Sequence, residues 1–300
     1  MKKLEGWCHG IILFFTFISL NFSPMVTSGP IAVFDSGYGG LTVLHDLLKA
    51  FPDYDFIYYG DNARAPYGNR SFDVVYQYTL EAVRKLFEMG APLVILACNT
   101  ASAKALRTIQ QKDLPLMDPD LRVLGVIRPS VEDLGGMSQS GYVGVLGTTG
   151  TVLSQSYPLE INKLFPHLKV TQEACPMWVS LVENDEVNSE GARFFVKKNL
   201  DSLFSRAPKT DTLILGCTHY PLLLPVIEEF VPKNVKIISQ GPIVANSLKK
   251  YFKRHPGMNQ RLSRGAEVTF YTTEYPERFN QSASLFLGRE VKAIHIETDR

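Results

Sequence analysis

The sequence predicts an α/β protein of two pseudo-symmetric lobes, each a mostly parallel sheet flanked by helices, with the active site in the cleft between them. Three observations carry this prediction. Short apolar runs alternate with stretches of helical spacing along most of the 300-residue chain. The stretch from Ala91 to Thr100 is echoed by the stretch from Asp211 to Tyr220: each is an apolar strand, a small residue, a cysteine, then hydroxyl or amide side chains opening a helix. Glycine-bearing turns, Asp35 to Gly40 and Gly147 to Gly150, sit upstream of the two echoes at similar distances.

The elements follow in order. Ile31 to Phe34 is a strand running into Asp35-Ser36-Gly37-Tyr38-Gly39-Gly40, and Leu41 to Ala50 is amphipathic. Phe56 to Gly60 is a strand, Phe72 to Met89 a helix, Leu93 to Ala97 a strand, Ala101 to Gln111 a helix and Val123 to Ile127 a strand. The plan then repeats, with a strand at Val143 to Leu146, a helix starting near Thr151, a helix over Glu190 to Ser205 and a strand at Leu213 to Leu215. Leu222 to Phe230 is a helix, Lys236 to Ile238 a strand, Ile243 to Arg254 a helix, Glu267 to Thr272 a strand, Pro276 to Phe286 a helix and Val291 to Ile296 an edge strand. No low-complexity linker separates the lobes, and the boundary is set near Leu124.

Composition narrows the class. Hydrophobic residues make up 45% and charged residues 20%, as in an ordinary globular enzyme, and a net charge of +1 gives no field for nucleic acid or an anionic membrane. The cysteines are Cys8, Cys98, Cys175 and Cys217, with no C-x-x-C pair and no zinc or disulfide-scaffold spacing. Free thiols favour a reducing, cytoplasmic compartment. Lys2 and Lys3, the apolar run Ile11 to Leu20 and the small residues Val26-Thr27-Ser28 nevertheless have the layout of a secretory signal. Residues 1–29 are therefore read as a cleaved signal, which would make the mature chain periplasmic, or as an extension upstream of a true start at Met25.

Facing lobes would bring Cys98 and Cys217 to one cleft from opposite sides, at the carboxyl ends of strands where open α/β sheets bind ligands. Two bases on opposite faces of one carbon remove a proton from one side and return one to the other. Each cysteine precedes a helix, and a helix N-terminus lowers a thiol's pKa. A lone cysteine is more often core packing, and Cys175, outside such a setting, keeps that reading.

Five blocks, Phe34 to Leu44, Tyr59 to Gly68, Ala97 to Ala103, Gly216 to Leu223 and Phe270 to Thr273, resemble those of bacterial glutamate racemases, from about Ile31 to the end of the chain. The resemblance implies a cofactor-independent interconversion of L- and D-glutamate that supplies peptidoglycan, with no pyridoxal phosphate and no metal. It implies that the C-terminal segment returns to the first lobe, so that lobe 1 is 30–123 plus 239–300 and lobe 2 is 124–238. By the same resemblance Cys98 and Cys217 are the alternating bases, Asp35 assists Cys98, and His219 with Glu183 assists Cys217. Ser36, Tyr67, Gly68, Asn99, Thr100, Thr151 and Thr218, with Asp35 and His219, would hold the substrate.

Each residue also has a plainer reading. Asp35, Ser36, Asn99, Thr100 and Thr218 are ordinary turn or cap residues; their short polar groups are equally what a zwitterion needs. Tyr67-Gly68 after Pro66 reads as a turn, His219 as a structural histidine, and Glu183 as a helix surface charge. The chain departs from the family pattern at Asn62, usually threonine, at Ser239-Gln240, commonly an acidic then a small residue, and at Arg128, often acidic. The alternatives are a racemase for aspartate or another small amino acid, and a two-lobed solute-binding protein without turnover. A dinucleotide site is disfavoured because Gly37-Tyr38-Gly39-Gly40 does not complete G-x-G-x-x-G. The expected partner is a small-molecule substrate, with no nucleic acid and no membrane for the mature chain; a homodimer is left open.

Overall fold

Every residue of Ile31–Asp35 (β1) is buried, as expected of a strand covered on both faces and paired on both edges. Phe56–Gly60 (β2) and Leu93–Leu96 (β3) are buried in the same way, and Arg122–Gly125 (β4) follows them. In the computed structural model, which describes residues 28–298, the chain then leaves this sheet and builds a second one. That sheet comprises Tyr142–Gly147 (β5), Lys169–Ala174 (β6), Thr212–Gly216 (β7) and Lys236–Ile238 (β8). The chain rejoins the first sheet through Val268–Thr272 (β9) and Ala293–His295 (β10). The strand orders are β10-β9-β2-β1-β3-β4 and β6-β5-β7-β8. All pairings are parallel.

The core follows from the two-residue period of the strands. Ile31 and Val33 point to one face of the first sheet with Leu44, Leu47, Phe56 and Tyr58, while Ala32 and Phe34 point to the other with Val83, Leu86, Val94 and Leu96. Burying each large side chain of this kind is worth roughly 1.5–3 kcal/mol. The register pairs Phe34 with Leu96 in the first sheet and Gly147 with Gly216 in the second. In each sheet the residues that follow these pairs therefore emerge together at one end. Ser71 caps the helix Phe72–Glu88 by accepting from the Val74 N–H at 3.3 Å, and Ser189 caps Glu190–Arg206 by accepting from Ala192 at 3.1 Å.

Several expectations need correction. The strand β6 was not expected: it lies at a sheet edge, is nowhere fully buried, and its Thr171, Gln172 and Glu173 hide it from a search for apolar runs. The helix expected over Ala101 to Gln111 starts earlier, at Asn99, breaks after Lys104, resumes at Leu106–Thr108 and widens into a π-turn at Ile109–Asp113. The strand expected to reach Ile127 ends at Gly125, and Ile127 instead opens the helix Ile127–Glu132. Residue 124 lies inside β4, so a division of the chain there would cut a strand. Residues 1–27, which carry Cys8 and nearly all of the leader-like pattern, lie outside the described residues. Gly29 is already tied to the body, donating to the Arg261 carbonyl at 3.0 Å and accepting from Ser263 at 2.8 Å. Among the described residues no helix is long and apolar enough to cross a membrane.

Candidate active site

Cys98 sits two residues beyond β3 and caps the helix Asn99–Lys104, its sulfur accepting from the Ala101 N–H at 3.4 Å. Cys217 directly follows β7 and leads, through Thr218 and His219, into a 3-10 turn at Tyr220–Leu223 and then the helix Leu224–Phe230. One cavity is lined by both cysteines together with Ser36, Tyr67, Gly68, Asn99, Thr100, Thr218, His219 and Glu183. It is a tight chamber: Cys98 is 5% exposed and Cys217 6%. Asp35 and Thr151 are fully buried just behind its wall.

On the first side, Ser36 Oγ lies 3.4 Å from Cys98 Sγ. Asp35 accepts from the Gly37 N–H at 3.0 Å and from Thr218 Oγ at 3.4 Å, so it ties the β1 turn to the Cys217 turn. Burial, then the Asp35 carboxylate, pushes the Cys98 thiol up to about 12, against the contrary pull of Ser36 and the Ala101 N–H. The lowering expected from a helix N-terminus is therefore overturned at Cys98, because a six-residue helix cannot offset loss of water plus a neighbouring anion. Burial also raises the pKa of Asp35 itself, opposed by His219 and by backbone hydrogen bonds.

On the second side, His219 Nδ1 is 3.9 Å from Cys217 Sγ and His219 Nε2 is 3.1 Å from Glu183 Oε1. Burial alone would strip the imidazole of its proton, but the contacts with Cys217 and Glu183 outweigh it, and the group is pushed up to about 10. His219 is then an imidazolium at neutral pH. Cys217 does not open an α-helix as expected; its neighbouring positive charge is His219. Trp178, fully buried against Tyr220 at 4.8 Å between ring centres, supports this turn from below. Cys175 lies in the core beside them, and its carbonyl accepts from the Tyr220 hydroxyl at 3.1 Å.

Two features of the site escaped the sequence reading. Thr148 caps the helix Thr149–Leu153, accepting from Thr151 N–H at 3.2 Å, and its hydroxyl meets that of Thr100 at 2.9 Å on the cavity wall. The signal was available, since Thr148 holds the cap position in Gly147-Thr148-Thr149-Gly150. The second feature is Asp61, fully buried, which accepts from Arg64 Nε at 2.8 Å, from Thr273 Oγ at 2.9 Å and from the Tyr67 hydroxyl. The Tyr67 hydroxyl is thus committed to fixing its own loop. Among the departures, Asn62 accepts from Thr272 at 3.2 Å, and Arg128 pairs with Glu132 at 2.9 Å on the surface. Among the described residues no group of three or more His, Cys, Asp or Glu side chains is placed to hold a metal ion.

Gly39 packs tightly against the Thr218-His219 turn. A Cβ there would stand 2.4 Å from Thr218 Oγ and 2.5 Å from His219 Nδ1. Gly39→Ala is expected to displace His219 and lower turnover by at least about tenfold, since a misplacement near 1 Å costs up to about a hundredfold. Steady-state kinetics with a melting curve as a folding control would check it, and unchanged kinetics would contradict the placement of His219.

The chain matches the profile of the Asp/Glu/Hydantoin racemase family over residues 41–248. It is 36% identical over 268 residues to the glutamate racemase of Streptococcus suis, covering 89% of this chain and 98% of that protein. It is 39% identical over 277 residues to that of Dinoroseobacter shibae, covering 89% and 98%. The crystal structure of a Bacillus anthracis glutamate racemase superposes with a TM-score of 0.81 at 34% identity, covering 90% of this chain and 97% of that one. That of the Francisella tularensis glutamate racemase in complex with D-glutamate gives 0.77 at 30%, covering 91% and 98%. The chain belongs to the Asp/Glu/Hydantoin racemase family.

Proposed function

We propose that the chain interconverts L- and D-glutamate without a cofactor, using Cys98 and Cys217 as opposed bases, and that the D-glutamate it makes serves peptidoglycan synthesis. The observation that carries the reading is that both sulfurs border one narrow cavity whose wall also carries the polar side chains of Ser36, Asn99, Thr100, Thr148, Thr218, His219 and Glu183. In one direction the α-C–H bond breaks as the Cys217 thiolate takes the proton, with the His219 imidazolium 3.9 Å away as its charge partner. The electron pair is held by the substrate's own carboxylate, and the Cys98 thiol, which keeps its proton at neutral pH, delivers it to the opposite face. The reverse direction exchanges the two roles.

Glutamate is favoured over aspartate because the 35–39% identical relatives are glutamate racemases. Decay of circular dichroism with each L-amino acid tests this. Glutamate is expected to racemise, and the acid one methylene shorter to fall behind by about 10–200-fold in kcat/KM. Faster aspartate turnover would reverse the substrate assignment, and no decay with either acid would refute the racemase reading.

A further inference from the structure

We propose that Gln240 is a positioning residue, fixing the Asn99 side-chain amide so that it presents one N–H, and no acceptor, to a carboxylate of the substrate; the proposal rests on the racemase reading. Gln240 opens the helix Gln240–Arg254 and is 3% exposed. It reaches side chains from three separate segments: Asn99, Ser130 of the helix Ile127–Glu132, and Tyr157 of the helix Ser156–Leu164.

The hydrogen-bond inventory fixes every amide in this cluster. The Val126 carbonyl can only accept, and Ser130 Oγ donates to it at 2.7 Å. Having spent its proton, Ser130 Oγ must accept from Gln240 Nε2, which lies 2.8 Å away. Gln240 Nε2 also lies 2.9 Å from the Tyr157 hydroxyl, so Gln240 Oε1 is turned to Asn99. Asn99 Nδ2 donates to that oxygen at 2.5 Å, and Asn99 Oδ1 accepts from the Tyr157 hydroxyl at 2.8 Å. Gln240 Nε2 lies 3.2 Å from the same Asn99 oxygen.

One Asn99 N–H then has no acceptor among the described residues, and Asn99 borders the cavity beside Cys98. An amide whose oxygen is committed can only donate, so it recognises a carboxylate oxygen and offers nothing to an ammonium group. A small residue at 240, as the family pattern leads one to expect, would span neither to Ser130 nor to Asn99.

Gln240→Met keeps the volume and removes the hydrogen bonds. With glutamate as substrate, KM is expected to rise about tenfold while kcat stays within about threefold, because the lost hydrogen bond is one made to a charged group. In an Asn99→Ala background the same substitution is expected to change kcat/KM by less than about twofold, since residues acting through one contact are non-additive. If Gln240→Met does not fold, Tyr157→Phe removes only the hydroxyl that pins the Asn99 oxygen. It is expected to raise KM about threefold, and to have no effect in Asn99→Ala. Equal losses with and without Asn99, in an active enzyme, would overturn the role of Gln240 alone. A wild-type chain that racemised no acidic amino acid would sink the racemase reading and this proposal with it.

Discussion

Serine in place of either Cys98 or Cys217 is expected to abolish steady-state racemisation, lowering kcat by at least about 10³-fold. The substitution exchanges one chalcogen for another of nearly the same size in a tight cavity, so packing is retained and melting temperatures should barely move. What is lost is proton traffic. A serine hydroxyl holds its proton far more firmly than a thiol, so it neither takes the α-proton nor finds a route to give one back. In the proposed two-base cycle each turnover would leave the two sulfurs with exchanged protonation, so a defect on one side would stop both directions. The double variant is expected to be scarcely worse than either single one, because the pair works as a unit. Near-normal turnover from either variant would refute the paired-base account.

The second large effect falls on His219. Its replacement by glutamine is expected to cost about 10²–10⁴-fold in kcat, the range of a lost acid–base partner. Glu183 acts through it at 3.1 Å, so Glu183→Gln should shift the alkaline fall in activity to lower pH rather than remove activity. The stability consequence has a definite sign. The folded-state pKa of His219, about 10, lies above the ordinary value of 6.5. Its protonation therefore stabilises the fold fully below about pH 6.5, and that contribution is lost as the pH rises through about 10. Urea melts at pH 6 and pH 10 should show a larger loss for the wild type than for Glu183→Gln. Equal losses would mean that the Glu183 contact does not hold the proton on His219.

The architecture was legible where burial wrote it into the residues. Runs such as Ile31 to Phe34 and Leu93 to Leu96 are apolar on both faces because helices cover both faces, and the echo around the two cysteines marked the repeated strand-to-turn unit. The edge strand β6 was not legible, because it is nowhere fully buried and its Lys169, Thr171, Gln172 and Glu173 interrupt any apolar run. At the candidate site, the gathering of both cysteines with their polar neighbours around one cavity was readable, and the electrostatics was not. The order of effects at Cys98, with burial and Asp35 outweighing the helix terminus, depends on tertiary neighbours that no local pattern encodes. The same holds for Thr148, which reads as a cap and is also a wall of the cavity, and for Tyr67, whose hydroxyl is taken by Asp61. Gln240 stood out in the sequence only as a departure; its partners Asn99, Ser130 and Tyr157 lie 141, 110 and 83 residues away along the chain.

Following the α-proton through the first turnover in deuterium oxide puts the two-sulfur arrangement to its most direct trial. With L-glutamate as substrate, the D-glutamate first formed should carry solvent deuterium at the α-carbon, while recovered L-glutamate stays unlabelled. D-Glutamate that kept the substrate's own proton would mean that a single group carries it across, and the opposed cysteines would lose their role.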